Sequence, residues 1–269
     1  MSNKLFKLLG IITTTRCTLN CKLCAVGIPK FKSANIVYDT SLGQLTQSLD
    51  VVFNIYDYVS RIDISGGEPL LWGEQNLIGL LLYLDKRLHQ VGEIRILTNG
   101  TILPSTALME TIIKLDINVS FVLDNYGLLS TNSEGLKNLL SRYKIYCRDT
   151  KYFGDKQWHS GWIDILGDLS FRNYSKEQLL EIHNTCHVHS ACVSLFNGKL
   201  WKCQISPLCE IINGTTDEVC SLDLLVPSTS IDDKRRILLN WENVIPLACQ
   251  YCNGMDSANA KRYPAAEQV

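Results

Sequence analysis

"LLGIITTTRCTLNCKLC", residues 8–24, runs an apolar stretch straight into three closely spaced cysteines. The first half reads as a short buried strand over 8–14, because Leu, Ile and Thr dominate it and no helical period is present. The second half sets Cys17, Cys21 and Cys24 in the spacing C-x3-C-x2-C. A loop that leaves a strand carrying three thiols within eight residues is a ligand loop, not packing. A structural zinc site takes four ligands, usually as two separated pairs, so three cysteines without a nearby histidine suit zinc poorly. A four-iron cube held by three thiolates keeps one iron open for a further ligand.

The same alternation continues outward. Apolar positions 42, 45, 49, 52, 53 and 56 have helical spacing over 42–59, with "DTS" ahead of them as N-cap material. "RIDIS" (61–65) reads as a strand followed by "GGEP". A helix is expected over 74–90, a strand over 93–97 ending in "TNG", and a helix over 105–115. Then come a strand over 118–123 ending at Asp124, a helix over 133–142, a strand over 144–147, and a sixth strand at "WIDIL", 162–166. Six strand–helix units in about 170 residues predict an α/β fold, a partial (β/α)6 barrel, with the turn-rich groups at the edge that carries the site.

After residue 170 the character changes. Seven of the eleven cysteines fall between 186 and 252, with a helix expected over 231–241. "CHVHSACVSLFNGKLWKC", 186–203, reads as a hairpin turning at Asn197–Gly198. Cys249 and Cys252 form a C-x2-C pair able to grip two corners of one metal site, and two hairpin sulfurs would complete four. The expected organisation is a barrel over 1–170, a small second domain over 171–252 and a loosely packed tail over 253–269. Cys147 and Cys220 read as small buried hydrophobes.

Composition bounds the partners. The chain has 269 residues, a net charge of -1 and 46% hydrophobic residues, which gives no general electrostatic case for nucleic acid or an anionic membrane surface. The longest apolar run, "LIGLLLYL" at 77–84, is too short to span a bilayer. No secretory cleavage pattern precedes the cysteines, so a cytoplasmic protein is expected. Clustered cysteines in a reducing compartment mean metal or redox chemistry.

On C-x3-C-x2-C after the first strand and Gly66-Gly67-Glu68-Pro69 after the second, the chain resembles the radical S-adenosylmethionine (SAM) superfamily. The residue before the third cysteine, often aromatic in that family, is Leu23 here. The resemblance implies a [4Fe-4S] cluster on Cys17, Cys21 and Cys24 whose open iron is chelated by SAM. Reductive cleavage of SAM then yields a 5′-deoxyadenosyl radical that abstracts a substrate hydrogen. It also implies that the segment Gly66, Gly67 and Glu68 holds the methionine end of SAM. Glycines permit close backbone approach, and a carboxylate accepts a hydrogen bond from an ammonium group. Asn99, Ser120 and Asp124, near later strand ends, are candidates for ribose or substrate hydroxyls, or else turn and cap residues.

The distal cysteines resemble the twitch domain, a shortened SPASM auxiliary-cluster domain. Cys186, Gly198 and Cys203 fit its spacing, and Cys249 and Cys252 complete the set, which implies one auxiliary [4Fe-4S] cluster. Zinc on the same four cysteines is the rival, since spacing does not separate the two. Cys192 and Cys209 are then spare: packing residues, or hydrogen donors to a substrate radical as in related epimerases.

A fully ligated auxiliary cluster suits electron transfer, so the expected reaction is a two-electron oxidation of a small polar substrate, a sugar, cyclitol or nucleotide-sugar. The absence of room for a leader-gripping domain ahead of the first strand points the same way. An external one-electron reductant such as flavodoxin or ferredoxin is expected, and no nucleic acid or membrane partner. "TKYFGDKQWHSGWID", 150–164, offers Tyr152 and Trp162 as stacking surfaces, and Lys151, Asp155, His159 and Asp164 as hydroxyl partners. The alternatives are a radical SAM epimerase or peptide-modifying enzyme, and a non-catalytic iron–sulfur or zinc-binding protein.

Overall fold

The structure is a computed structural model, and it describes residues 5–158, 162–188, 193–241, 244–256 and 258–269. Five parallel strands build its centre: β1 (Leu5–Ile12), β2 (Tyr58–Ser65), β3 (Val91–Thr98), β4 (Asn118–Asn125) and β5 (Cys147–Lys151). Between them run α1 (Ile28–Ser33), α2 (Leu42–Ile55), α3 (Glu74–Asp85), α4 (Thr106–Ile112) and α5 (Ser133–Arg142). After β5 follow α6 (Lys176–Thr185), β6 (Val193–Phe196), β7 (Lys199–Trp201), α7 (Ser206–Asn213), β8 (Ser221–Asp223) and α8 (Ile231–Asn240). The eight strands form one open sheet in the order β5-β4-β3-β2-β1-β6-β7-β8, in which the β6–β7 and β7–β8 pairs are antiparallel and only β7 runs against the rest.

The core follows from strand alternation. Leu9, Ile11, Ile62, Ile64, Ile94, Ile96, Phe121 and Leu123 are fully buried and lie two apart along their strands, so each strand gives one face to the helices. Each such side chain contributes roughly 1.5–3 kcal/mol when removed from water. The other face carries Arg61 opposite Glu93 and Asp63 opposite Arg95 across β2 and β3. Capping sets the helix starts: the hydroxyls of Ser41 and Ser105 accept from the Gln44 and Leu108 backbone N–H groups at 3.2 Å each.

Several expectations are corrected. The sixth parallel strand is β6, not "WIDIL". It adds beside β1 rather than beside β5. Within 162–166 the Asp164 carboxylate closes a turn on the Gly167 N–H, and Ile163 makes only an isolated bridge to Arg262. β5 starts three residues later than expected, because Lys144 takes φ +56 and Ile145 N–H returns to Leu140 O to finish α5. α2 and α3 stop at Ile55 and Asp85, because the chain must reverse before β2 and β3. The hairpin expected at 186–203 is β6–β7, with Asn197 and Gly198 both at positive φ. It extends the main sheet.

The final segment is not loose. Tyr263 N–H donates to Trp162 O, Ala265 N–H to Gln157 O, and Lys22 N–H to Glu267 O at 3.0, 2.8 and 2.7 Å. Ala266 is buried against Leu19 and Cys21.

Candidate functional site

Ile12 pairs with Ser65, and Thr98 with Leu123, so β1, β2, β3 and β4 finish at one edge of the sheet. The three-cysteine loop leaves that edge from β1, and the other strand ends grip it. Gly67 N–H donates to Thr14 O at 2.7 Å and Glu68 N–H to Arg16 O at 2.8 Å. A Cβ on Gly66 would lie 2.4 Å from Thr14 O, and one on Gly67 2.1 Å from Arg16 O. The glycine pair therefore permits close approach to the cysteine loop itself, which the sequence had suggested only for a ligand.

Glu68 is fully buried. Its carboxylate accepts from Leu70 N–H (3.2 Å), Asn99 N–H (2.9 Å) and the Thr98 hydroxyl (3.0 and 3.1 Å to the two oxygens). Burial pushes its pKa up to about 7 against the pull of these donors. The group expected to meet the SAM ammonium thus locks the second strand end to the third. Asn99, a candidate for ribose or substrate hydroxyls or else a turn residue, turns its amide to the loop. Its Nδ2 lies 3.6 Å from Cys17 Sγ and 3.1 Å from Thr18 Oγ1, and its Oδ1 accepts from Thr101. Ser120 is not at a strand end: it is the third residue of β4, buried, with its hydroxyl 3.5 Å from Ile94 O. Asp124, one residue from the end of β4, is at the edge, and burial raises its pKa to about 6, opposed by Arg148.

The three thiols of the loop act on one another electrostatically. Burial raises all three, Cys21 to about 12, while the Gln268 amide pulls Cys21 back down and the backbone at 26–28 does the same for Cys24. Every described cysteine is a free thiol. A buried thiol of this kind ionises beside a cation, which is what an iron or zinc site supplies. Cys186, Cys203, Cys249 and Cys252 likewise fall within electrostatic reach of one another. Backbone N–H groups of Ile205 and Gly254 point at Cys203 Sγ (3.4 Å) and Cys252 Sγ (3.2 Å). Both sets fit thiolate ligation by donor type and N–H support. Among the described residues, no three Cys, His, Asp or Glu side chains close on a single ion-sized point.

Beside the cysteine loop stands an aromatic group. Tyr126 lies 5.6 Å from Tyr152 and 5.5 Å, edge-on, from Trp162, and Tyr126 and Trp162 pack on the cluster of Leu19, Cys21 and Ala266. Burial raises both tyrosine hydroxyls, Tyr152 to about 12. Tyr152 and Trp162, named from sequence as stacking surfaces, lie 6.3 Å apart. Tyr126 was missed, although it stands in "DNYG" at a strand end. Asp164 lines a cleft with Lys22, Cys24 and Lys30, but its carboxylate is engaged by the Gly167 N–H. Cys209 is 1% exposed in an apolar cluster with Phe31, Ile165 and Leu208, a packing position away from solvent. His159 and Cys192 lie outside the described residues.

No family model and no curated protein matches the chain. Among solved structures, anSMEcpe with bound AdoMet is 18% identical over 53% of this chain and 42% of its own, with a TM-score of 0.42. Streptococcus suis SuiB bound to precursor peptide SuiA is 16% identical over 54% and 32%, TM-score 0.42. A further structure of Streptococcus suis SuiB is 11% identical over 80% of this chain and 63% of its own, TM-score 0.42. The chain thus spans 42% of the length of anSMEcpe. At these identities and TM-scores none of the three bears on what this chain does.

Proposed function

We propose that this chain is a radical SAM enzyme that oxidises a small polar substrate by two electrons, with a second, fully ligated cluster taking the electron left after hydrogen abstraction. The observation that carries the reading is the convergence on one loop. Three thiols stand at the end of β1, the "GGEP" backbone bonds directly to Thr14 and Arg16, and the Asn99 amide from the end of β3 reaches Cys17. A loop held this way from two neighbouring strand ends keeps its three thiols on one short, anchored segment.

In this reading Cys17, Cys21 and Cys24 hold the SAM-binding [4Fe-4S] cluster, and Cys186, Cys203, Cys249 and Cys252 the auxiliary one. Residues 1–170 supply five of the six parallel strands, and 171–252 supply the sixth, β6, together with the auxiliary cysteines. When bound, cluster and SAM supply an electron and a 5′-deoxyadenosyl radical. The chain supplies position and dryness. Tyr126, Tyr152 and Trp162 form a wall that excludes water and stacks on the C–H face of a sugar, cyclitol or nucleotide-sugar. Asp124 beside them takes a substrate hydroxyl, and its carboxylate pKa of about 6 suits it to accept that hydroxyl's proton. A one-electron reductant such as flavodoxin or ferredoxin serves the site from outside.

Anaerobic purification and reconstitution tests this reading. The expected result is about eight irons per chain and 5′-deoxyadenosine under reduction. Four irons with one zinc would overturn the auxiliary cluster, and no SAM cleavage would overturn the enzyme. Substrates deuterated at one carbon should label 5′-deoxyadenosine. Solvent deuterium entering the product would favour epimerisation, and labelling from a peptide would replace the small-molecule class.

A further inference from the structure

The segment 262–269 is fastened to the three-cysteine loop at its middle thiol. Cys21 and Gln268 form an antiparallel bridge. Val269 N–H donates to Asn20 O at 3.0 Å, and Lys22 N–H to Glu267 O at 2.7 Å. Gln268 is an exposed residue whose amide is nevertheless turned onto the loop. Asn20 N–H donates to its Oε1 at 2.7 Å. Because a backbone N–H can only donate, that contact fixes which end of the amide is oxygen. The nitrogen end must then face inward, where Nε2 donates to Ala266 O at 2.6 Å and to Cys21 Sγ at 3.4 Å.

We propose that Gln268 is a positioning residue for the three-cysteine site, with two separable actions. Its oxygen anchors the loop at Asn20, one residue before the thiol. Its N–H withdraws charge from the Cys21 sulfur. Hydrogen bonds to ligating sulfurs are among the levers that set a cluster's reduction potential, and each one stabilises the reduced, more negative state. Gln268 therefore makes the cluster on this loop easier to reduce than its three thiols alone would. This inference rests on the reading of Cys21 as a cluster ligand.

The test uses the full chain, reconstituted anaerobically, in the wild-type, Gln268→Glu, Gln268→Leu and Cys21→Ala forms. Iron content is measured, and the electron paramagnetic resonance signal that changes on adding SAM is followed through a redox titration. Gln268→Glu keeps an oxygen for Asn20 N–H and loses the donor, so wild-type iron content with a more negative potential is expected. Gln268→Leu loses both, so a more negative potential together with a fall in bound iron is expected. Wild-type potentials in both Gln268 variants, alongside loss of the SAM-responsive signal in Cys21→Ala, would overturn the positioning role alone. Persistence of that signal in Cys21→Ala would overturn the cluster reading itself.

Discussion

The two cysteine groups are built on opposite plans. Cys17, Cys21 and Cys24 lie within one loop of eight residues, whereas Cys186, Cys203, Cys249 and Cys252 are spread over the end of α6, the connection from β7 to α7 and a distal pair. The support runs the other way. Two thiols of the compact group receive side-chain amides from Asn99 and Gln268, 82 and 247 residues away. Cys203 and Cys252 of the dispersed group receive backbone N–H groups only two residues on. In the proposed reading the compact loop leaves one ligand place open and distant chain adds to its local backbone donors, whereas the four-cysteine set draws its own segments together.

That contrast can be broken most severely at the compact loop. Cys17→Ala is expected to abolish SAM cleavage and halve the bound iron, read by iron analysis and 5′-deoxyadenosine release. Gly67→Ala should come close to this. A Cβ 2.1 Å from Arg16 O forces the loop away from β2, so most of its iron should be lost while the distal cluster's absorbance stays. Cys249→Ala should also halve the iron but leave SAM cleavage running, with oxidised product falling at least tenfold. Equal loss of cleavage in Cys17→Ala and Cys249→Ala would erase the distinction between the two groups.

Smaller effects sharpen it. Glu68 ionises near its ordinary 4.5 when unfolded and near 7 when folded. The folded chain therefore binds more protons between those values, and stability falls as pH rises across that window. Glu68→Gln should flatten this slope in thermal melts followed by circular dichroism; an unchanged slope would remove Glu68 as its source. Cys209→Ala, deep in the apolar cluster beside Cys252, is expected to cost only about 1 kcal/mol and to spare activity. A hundredfold loss of product formation at unchanged SAM cleavage would instead restore Cys209 as a hydrogen donor.

Much of this was legible because it is local. α5 spans the 133–142 expected for it, and the Asn197–Gly198 turn follows from its dipeptide. "WIDIL" misled because alternation and apolarity mark a half-buried strand, and 162–166 is half-buried without a sheet neighbour. Short strands of three and four residues, β6 to β8, carry too few positions for a period to stand out. No helix among the described residues is long and apolar enough to cross a membrane, in line with the short run at 77–84.

By itself the sequence determined the three-cysteine loop, the glycine pair, the strand–helix alternation and the spacing of the distal cysteines. Each of these is written in spacing over a few residues, where backbone geometry leaves few alternatives. Only the tertiary structure decided that β6 joins beside β1, that Glu68 serves the β2–β3 joint, and that Tyr126 completes the aromatic wall. It alone brought Gln268 to Cys21. Contacts between residues 247 positions apart depend on how the whole sheet and its loops close, and no local period records that.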